Sequence, residues 1–240
     1  MSKDNRHIGE VMHDTLLPVV ITRRWHLAES YHAVELQSRS RLKLPALDDG
    51  ACVTLAFNNV IGMQRTYPLC RFMSRPSAYV IAVRQDDGNP ETQSGNISLS
   101  RGDEAFIATT RSPTLILDGH TRSILFAGGV GTAAIAGIAN RLALAGQKFE
   151  LHNFARSPER AVFRDELDAL KSEGSVHHHV GLNAERLEQT ASHALHPAQA
   201  NTQIYCSGPP ALMSLIERHA RDWVYPHNIH KIVLGDRSAP

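Results

Sequence analysis

The twelve residues FAGGVGTAAIAG, 126–137, carry the clearest chemical signal in the sequence. Gly129, Gly131 and Ala134 fit G-x-G-x-x-G/A, after an apolar run and before an alanine-rich helical pattern. Glycine there lets backbone approach a pyrophosphate, and the free N–H groups of a helix start attract its charge. A strand-to-helix turn packed with small residues has the same spelling, so the motif alone leaves both readings open. Two further loops close strand-like segments. After KFELHNFA come Arg156 and Ser157. The usual dinucleotide fold holds an acid near that point for a ribose 2′-hydroxyl; Arg156 instead suits a phosphate, and Ser157 a ribose or a helix cap. After TQIYC comes Ser207-Gly208-Pro209-Pro210. Strand ends of one parallel sheet gather at one edge, so this loop and the glycine loop can face one ligand. Cys206 and Ser207 are candidates to line that crevice, with Cys206 as a small core residue the equal alternative. Arg65 and Tyr67 in RTYPLC alternate by two and share a face. An arginine beside an aromatic ring suits a phosphate joined to a flat heterocycle; an exposed pair on a barrel strand is the plain alternative. In His177-His178-His179 only the outer two share a face of a strand. The sequence places no third ligand near them, so partly exposed histidines and no metal are expected.

The elements that must position these residues change character midway. Up to about residue 112, LLPVVITRRW, YHAVELQS, ACVTLAF, RTYPLC, SAYVIAVR and EAFIATT read as short strands between turn-rich stretches such as LDDG and DDGNPETQSGN. After about residue 120, the strand patterns RSILFA, KFELHNFA, SVHHHV, TQIYC and IHKIVL alternate with helical ones. Ile135, Ile138 and Leu142 share one helix face; SPERAVFRDELDAL reads as a helix started by Ser157-Pro158, with Phe163, Leu167 and Leu170 as its stripe. The expectation is a two-domain chain: an antiparallel β-barrel over 15–115, then an α/β doubly wound parallel sheet over 116–240.

Composition narrows the partners. The 240 residues carry a formal net charge of +1, with 42% hydrophobic and 20% charged residues. No global field draws such a chain to nucleic acid, no apolar run is long enough to span a bilayer, and the polar N-terminus lacks a secretory pattern. A cytoplasmic protein is expected. Three widely spaced cysteines make neither a disulfide framework nor the four-thiol set of a plant-type iron–sulfur cluster.

Taken in order, the pieces resemble the ferredoxin–NADP reductase superfamily, most closely its phthalate dioxygenase reductase branch, over about residues 15–235. That branch carries R-x-Y-S, an I-A-V strand, A-G-G-I-G-I-T-P, F-A-R-S-P-E-R-A-x-F and C-G-P-P. Here these read RTYP, YVIAV, AGGVGTAA, FARSPERAVF and SGPP. The resemblance implies a flavin barrel, with FMN in this branch, and a domain for NADPH or NADH. Carried over by position, Arg65 would bind the flavin phosphate and Tyr67 would flank the ring beside Pro68. Ile81, Ala82 and Val83 would offer backbone to the ring, with Arg84 near the phosphate. Gly129, Gly131 and Thr132 would meet the nucleotide pyrophosphate, Arg156 and Ser157 the adenosine ribose or its phosphate, and Ser207, Gly208 and Pro209 the nicotinamide. Tyr67, Pro68 and Ser207 would thus stand at the redox centre.

Four departures touch that centre or the flavin phosphate. Pro68 replaces a serine and offers neither hydroxyl nor N–H. Ala133-Ala134 replaces Thr-Pro, and Ser207 replaces the cysteine. The phosphate-binding G-G-S is lost within GNPETQSGN, where Thr92 or Ser94 would have to compensate. Where the branch continues into a ferredoxin domain, this sequence has GDRSAP. Two functions are therefore carried forward. One is an NAD(P)H-dependent flavin reductase subunit passing electrons to a separate iron–sulfur or oxygenase partner in a hetero-oligomer, as in a multicomponent oxygenase or demethylase. The other is a degenerate subunit that keeps the fold and binds nucleotide or flavin, or scaffolds an oxygenase complex, without hydride transfer.

Overall fold

The computed structural model describes residues 9–40, 43–57, 64–85, 99–117, 121–196 and 198–237. Six antiparallel strands build the first half: β1 (Gly9–Ala28), β2 (Tyr31–Ser38), β3 (Cys52–Ala56), β4 (Gln64–Pro68), β5 (Ala78–Arg84) and β6 (Glu104–Ser112). They run in the order β4-β3-β6-β1-β2-β5, and an isolated Leu69–Ile81 bridge joins the two ends into a barrel. The period of two decides what fills it. Val34 and Leu36 of β2, Val53 and Leu55 of β3, and Ile81 and Val83 of β5 share one buried interior cluster.

The second half alternates as its sequence period requires: β7 (Ser123–Gly128), α1 (Gly131–Leu144), β8 (Phe149–Ala155), α2 (Arg164–Asp168), β9 (Ser175–Val180), α3 (Ala184–Leu195), β10 (Gln203–Ser207), α4 (Pro210–Ala220) and β11 (Ile229–Lys231). Its five strands are parallel in the order β11-β10-β7-β8-β9. Leu125 and Ala127 of β7 pack on Ile135, Ile138 and Leu142 of α1. Ile124 and Phe126 face the opposite way, onto α3 and α4. This is the doubly wound arrangement, with its switch point between β7 and β10. No helix among the described residues is long and apolar enough to cross a membrane.

Two local expectations are corrected. SPERAVFRDELDAL is not one helix. Pro158–Arg160 forms a single 3-10 turn, Phe163 takes a left-handed backbone (φ 58°), and only then does α2 begin. A phenylalanine in that region is sterically costly, and burial between the two halves compensates. Its ring is 6% exposed and meets Phe72 edge-on at 5.3 Å. IHKIVL is a strand only over Ile229–Lys231. The chain then crosses back, and β12 (Gly235–Arg237) pairs antiparallel with β4 of the barrel, Gly235 opposite Thr66.

The halves meet where α1 crosses the barrel loop Asp48–Ala51. A Cβ built on Gly137 would lie 2.1 Å from Gly50 N, and one on Gly50 would lie 2.8 Å from Ile138 Cγ1. Beside this contact Asn140 Nδ2 donates to Asp49 Oδ2 at 2.6 Å, and Arg141 Nη1 donates to the Pro113 carbonyl at 2.9 Å. Farther round the seam, Glu29 N–H donates to the Glu159 carbonyl at 2.8 Å and Arg160 pairs with Glu29 at 2.9 Å. Gly137→Ala leaves helix propensity improved yet has no room for its methyl. It is expected to lower unfolding free energy by about 1–3 kcal/mol in chemical denaturation. Gly146→Ala meets open space and pays only for its left-handed backbone (φ 68°), so it should cost less.

Candidate functional site

The site is assembled from strand ends. The glycine loop follows β7, Arg156 follows β8 and Gly208-Pro209 follows β10, so the parallel sheet delivers all three to one edge at its switch point. The two central loops are in backbone contact. A Cβ on Gly131 would lie 2.5 Å from the Ser207 carbonyl group, and one on Gly128 would lie 3.0 Å from Leu212 Cδ2. Gly129 is left-handed (φ 55°). A Cβ on it would come within 2.9 Å of the hydroxyl of Tyr31, a barrel residue. Helix α1 begins with Val130 at its N-cap and no side-chain cap, which leaves that end to the loop and to whatever anion approaches it.

Three expected site residues use their side chains internally. Thr132 is fully buried and its hydroxyl donates to Asn153 Oδ1 at 3.1 Å. Ser207 is fully buried and its hydroxyl donates to the Ile232 carbonyl at 3.0 Å. The Ser157 hydroxyl hydrogen-bonds the Glu159 carboxylate, which holds that carboxyl below its ordinary range. Arg156, Pro209 and Pro210 are exposed at the rim, and Gly208 is half-buried. Cys206 lies in the core under α3 and α4, where burial pushes its thiol up to about 12. It is a packing residue.

The barrel contributes a notch. Cys70 N–H donates to the Val80 carbonyl at 2.7 Å and Leu69 N–H to the Ala51 carbonyl at 2.9 Å; Val80 N–H donates to Ser74 Oγ. Backbone groups alternate sides along a strand. On β5, therefore, Ile81 and Val83 aim their N–H and C=O at β2, and Ala82 aims both away from it. On β4, Pro68 turns its C=O away from β3, toward Ala82 of β5 beside the Leu69–Ile81 bridge. Ala82 is 1% exposed and lies across from Pro68, beside the Leu69–Ile81 bridge that joins β5 to the end of β4. Ala82 and Val80 also share a buried cluster with Val130 and Ala133 of the glycine-loop region and with Phe163. The notch thus opens beside the start of α1. Arg65 and Tyr67 are half-buried on β4, and Tyr67 packs against the barrel interior. Arg84 is exposed at the end of β5. β12 occupies the β4 edge at Gln64–Thr66, immediately beside Pro68. Thr92 and Ser94 lie outside the described residues.

Sequence reasoning missed two things. Tyr31 was one residue in a strand pattern, and only the tertiary contact marks it. The missing third ligand for the histidine run also exists, because β8 pairs with β9 and sets His152 opposite His177. Glu150, His152 and His177 bring ligand atoms within 4.8 Å of one another.

The chain is similar to the vanillate O-demethylase oxidoreductase of Acinetobacter baylyi, 30% identical over 204 residues that span 83% of this chain and 62% of that protein. It is similar also to the tert-butanol monooxygenase / tert-amyl alcohol desaturase reductase subunit of Aquincola tertiaricarbonis, 29% identical over 72% of this chain and 51% of that protein. It therefore spans less than two thirds of the length of either relative. Among solved structures, phthalate dioxygenase reductase, described as modular for electron transfer from pyridine nucleotides to a 2Fe-2S cluster, superimposes with a TM-score of 0.70. That match has 28% identity and covers 91% of this chain and 68% of the other. No protein-family model matches the chain.

Gly131 tests the loop contact. Gly131→Ala is expected to lower stability by about 1–3 kcal/mol, because the methyl meets the backbone of Ser207 and Gly208 at 2.5–2.7 Å rather than a side chain that can move. Calorimetry of the variant against wild type measures it.

Proposed function

From a chain that belongs to the ferredoxin–NADP reductase superfamily, in its phthalate dioxygenase reductase-like branch, we propose an electron-transfer reductase component that binds a flavin and a pyridine nucleotide. Its electrons go to a separate iron–sulfur or oxygenase protein, with which it forms a hetero-oligomer. The observation that carries this reading is the notch. There the ends of β4 and β5, joined by the Leu69–Ile81 bridge, bring buried Ala82 and Val80 into one cluster with Val130 and Ala133 at the start of α1. A flat heterocycle with a polar edge, such as the isoalloxazine of FMN, suits a seam where barrel strand ends meet the start of a nucleotide-domain helix. Arg65 and Arg84 flank β4 and β5 as anion partners for its phosphate, and Tyr67 supplies an aromatic neighbour. The glycine loop, with Tyr31 over Gly129, is suited to the pyrophosphate of NADPH or NADH. A bound flavin supplies two-electron acceptance from a nicotinamide and one-electron release. The protein would supply position: the notch and the nucleotide loops adjoin across one seam, so two rings held there would lie within reach of each other.

A second reading has its own observations. Pro68 turns only a carbonyl into the notch, the Ser207 hydroxyl is committed to Ile232, and β12 lies along the neighbouring edge of β4. These favour a subunit that retains the nucleotide-binding fold and scaffolds an oxygenase complex without hydride transfer.

Visible absorbance of the purified protein, before and after anaerobic NADPH or NADH, separates the two. The reductase shows a flavin spectrum that bleaches. A protein that is colourless and ignores added FMN is the scaffold. Pro68→Ser restores an N–H to the notch and is expected to speed NAD(P)H-driven bleaching; an unchanged rate removes position 68 from the redox centre. Arg156 stands free of bulk at the end of β8, suited to a 2′-phosphate. Arg156→Ala should weaken NADPH about tenfold or more, the loss of a charge-assisted hydrogen bond, with NADH little changed in the same titration.

A further inference from the structure

On the α3 side of the second sheet, away from the loops described above, β8 and edge strand β9 build a cluster of imidazoles around one carboxylate. His152 is 5% exposed and stacks on Phe126 at 5.4 Å. One of its ring nitrogens, Nε2, lies 2.9 Å from Glu150 Oε1, and the other, Nδ1, lies 3.0 Å from His179 Nε2. His177 stacks on His152 at 4.9 Å from the neighbouring strand. The other oxygen of Glu150 accepts from Arg122 Nη2 at 2.6 Å. We propose that Glu150, His152 and His177 form a binding site for a divalent transition cation, with zinc the best match.

The donor set is the first reason. Two imidazoles and one carboxylate are borderline ligands suited to zinc, which accepts three protein ligands and leaves a fourth position for water. The second is reach. The three ligand atoms already lie within 4.8 Å of one another, and tetrahedral zinc at its usual bond lengths separates ligands by about 3.4 Å. His177 is exposed, so rotation of its side chain closes the difference. The third is support around the ligands. A metal on His152 Nε2 replaces the proton shared with Glu150 and puts the remaining N–H on Nδ1, where His179 accepts it. Arg122 meanwhile fixes Glu150. Metal-bound histidines and carboxylates are held in this way by outer partners. The site would pin β9, the edge of the sheet, to β8. His178 takes no part: it points to the opposite face, where its Nε2 meets Asp168 Oδ1 at 2.8 Å.

The test is calorimetric titration of the tag-free, chelator-treated full chain with Zn2+, followed by the visible spectrum with Co2+. Saturable binding of one equivalent, a rise in melting temperature and intense tetrahedral Co2+ bands are expected. His177→Ala, at an exposed position, and Glu150→Gln should each weaken Zn2+ at least about tenfold, the lower end for loss of a group at a metal site, while His178→Ala binds as wild type. No saturable binding, or binding undiminished in both ligand variants, overturns the proposal. Because the readout is metal affinity and melting temperature, it stands or falls independently of flavin or nucleotide chemistry.

Discussion

Everything functional in this fold depends on one backbone crossing. Gly137 of α1 and Gly50 of the barrel approach so closely that neither position has room for a side chain. Two glycines at one crossing are an entropic liability, offset here because α1 can then lie directly on the barrel. The helix whose N-terminus opens the glycine loop is thereby fixed against the domain that carries β4 and β5. Asn140 and Arg141 on the next turn make the polar contacts that hold the rotation of the helix. If the crossing were looser, the notch at Ala82 and the loop at Gly129 would be two sites on two bodies. As built, they share a buried cluster.

The second sheet makes its own use of close approach. Gly131 is usually explained by room for a ligand, yet here its nearest neighbour is the backbone of Ser207. The two loops at the switch point are packed as a unit, and a ligand meets that unit from outside. The same economy explains why Thr132 and Ser207 are buried with their hydroxyls satisfied inside the domain. Their contribution to the crevice is shape. The groups left to meet a ligand are backbone, rim arginine and the Tyr31 hydroxyl.

The period of the apolar residues made both halves legible in the sequence, and strand-then-helix order made the parallel sheet and its edge legible with them. The Gly129, Arg156 and Gly208 loops could be assigned to one edge before any coordinates, because parallel strands leave no other choice. What could not be read depended on pairing between distant segments. Phe163 looked like one residue in a helical stripe; the demand that its ring fill the seam between halves overrode the local pattern. His177 lacked partners until β8 was set beside β9 in register. Tyr31 carried no signal at all, since a tyrosine at the start of a strand is ordinary and its contact lies a hundred residues away in sequence. Pro68 was visible as a departure, but its meaning came from the alternation of β4, which turns that position into the notch and not toward β3.

The return of β12 to the barrel has a consequence for how the chain is made. β4 emerges from the ribosome long before Gly235–Arg237, with the whole second sheet still to be synthesised. The barrel can collapse on its own interior cluster, but one edge of β4 waits bare until the α/β half has wound and carried the last strand back. Pairings of such long sequence separation are late events, since loop closure must precede any gain. During that interval the exposed edge is open to other strands. Topology therefore ties closure of that edge of β4 to completion of the second sheet.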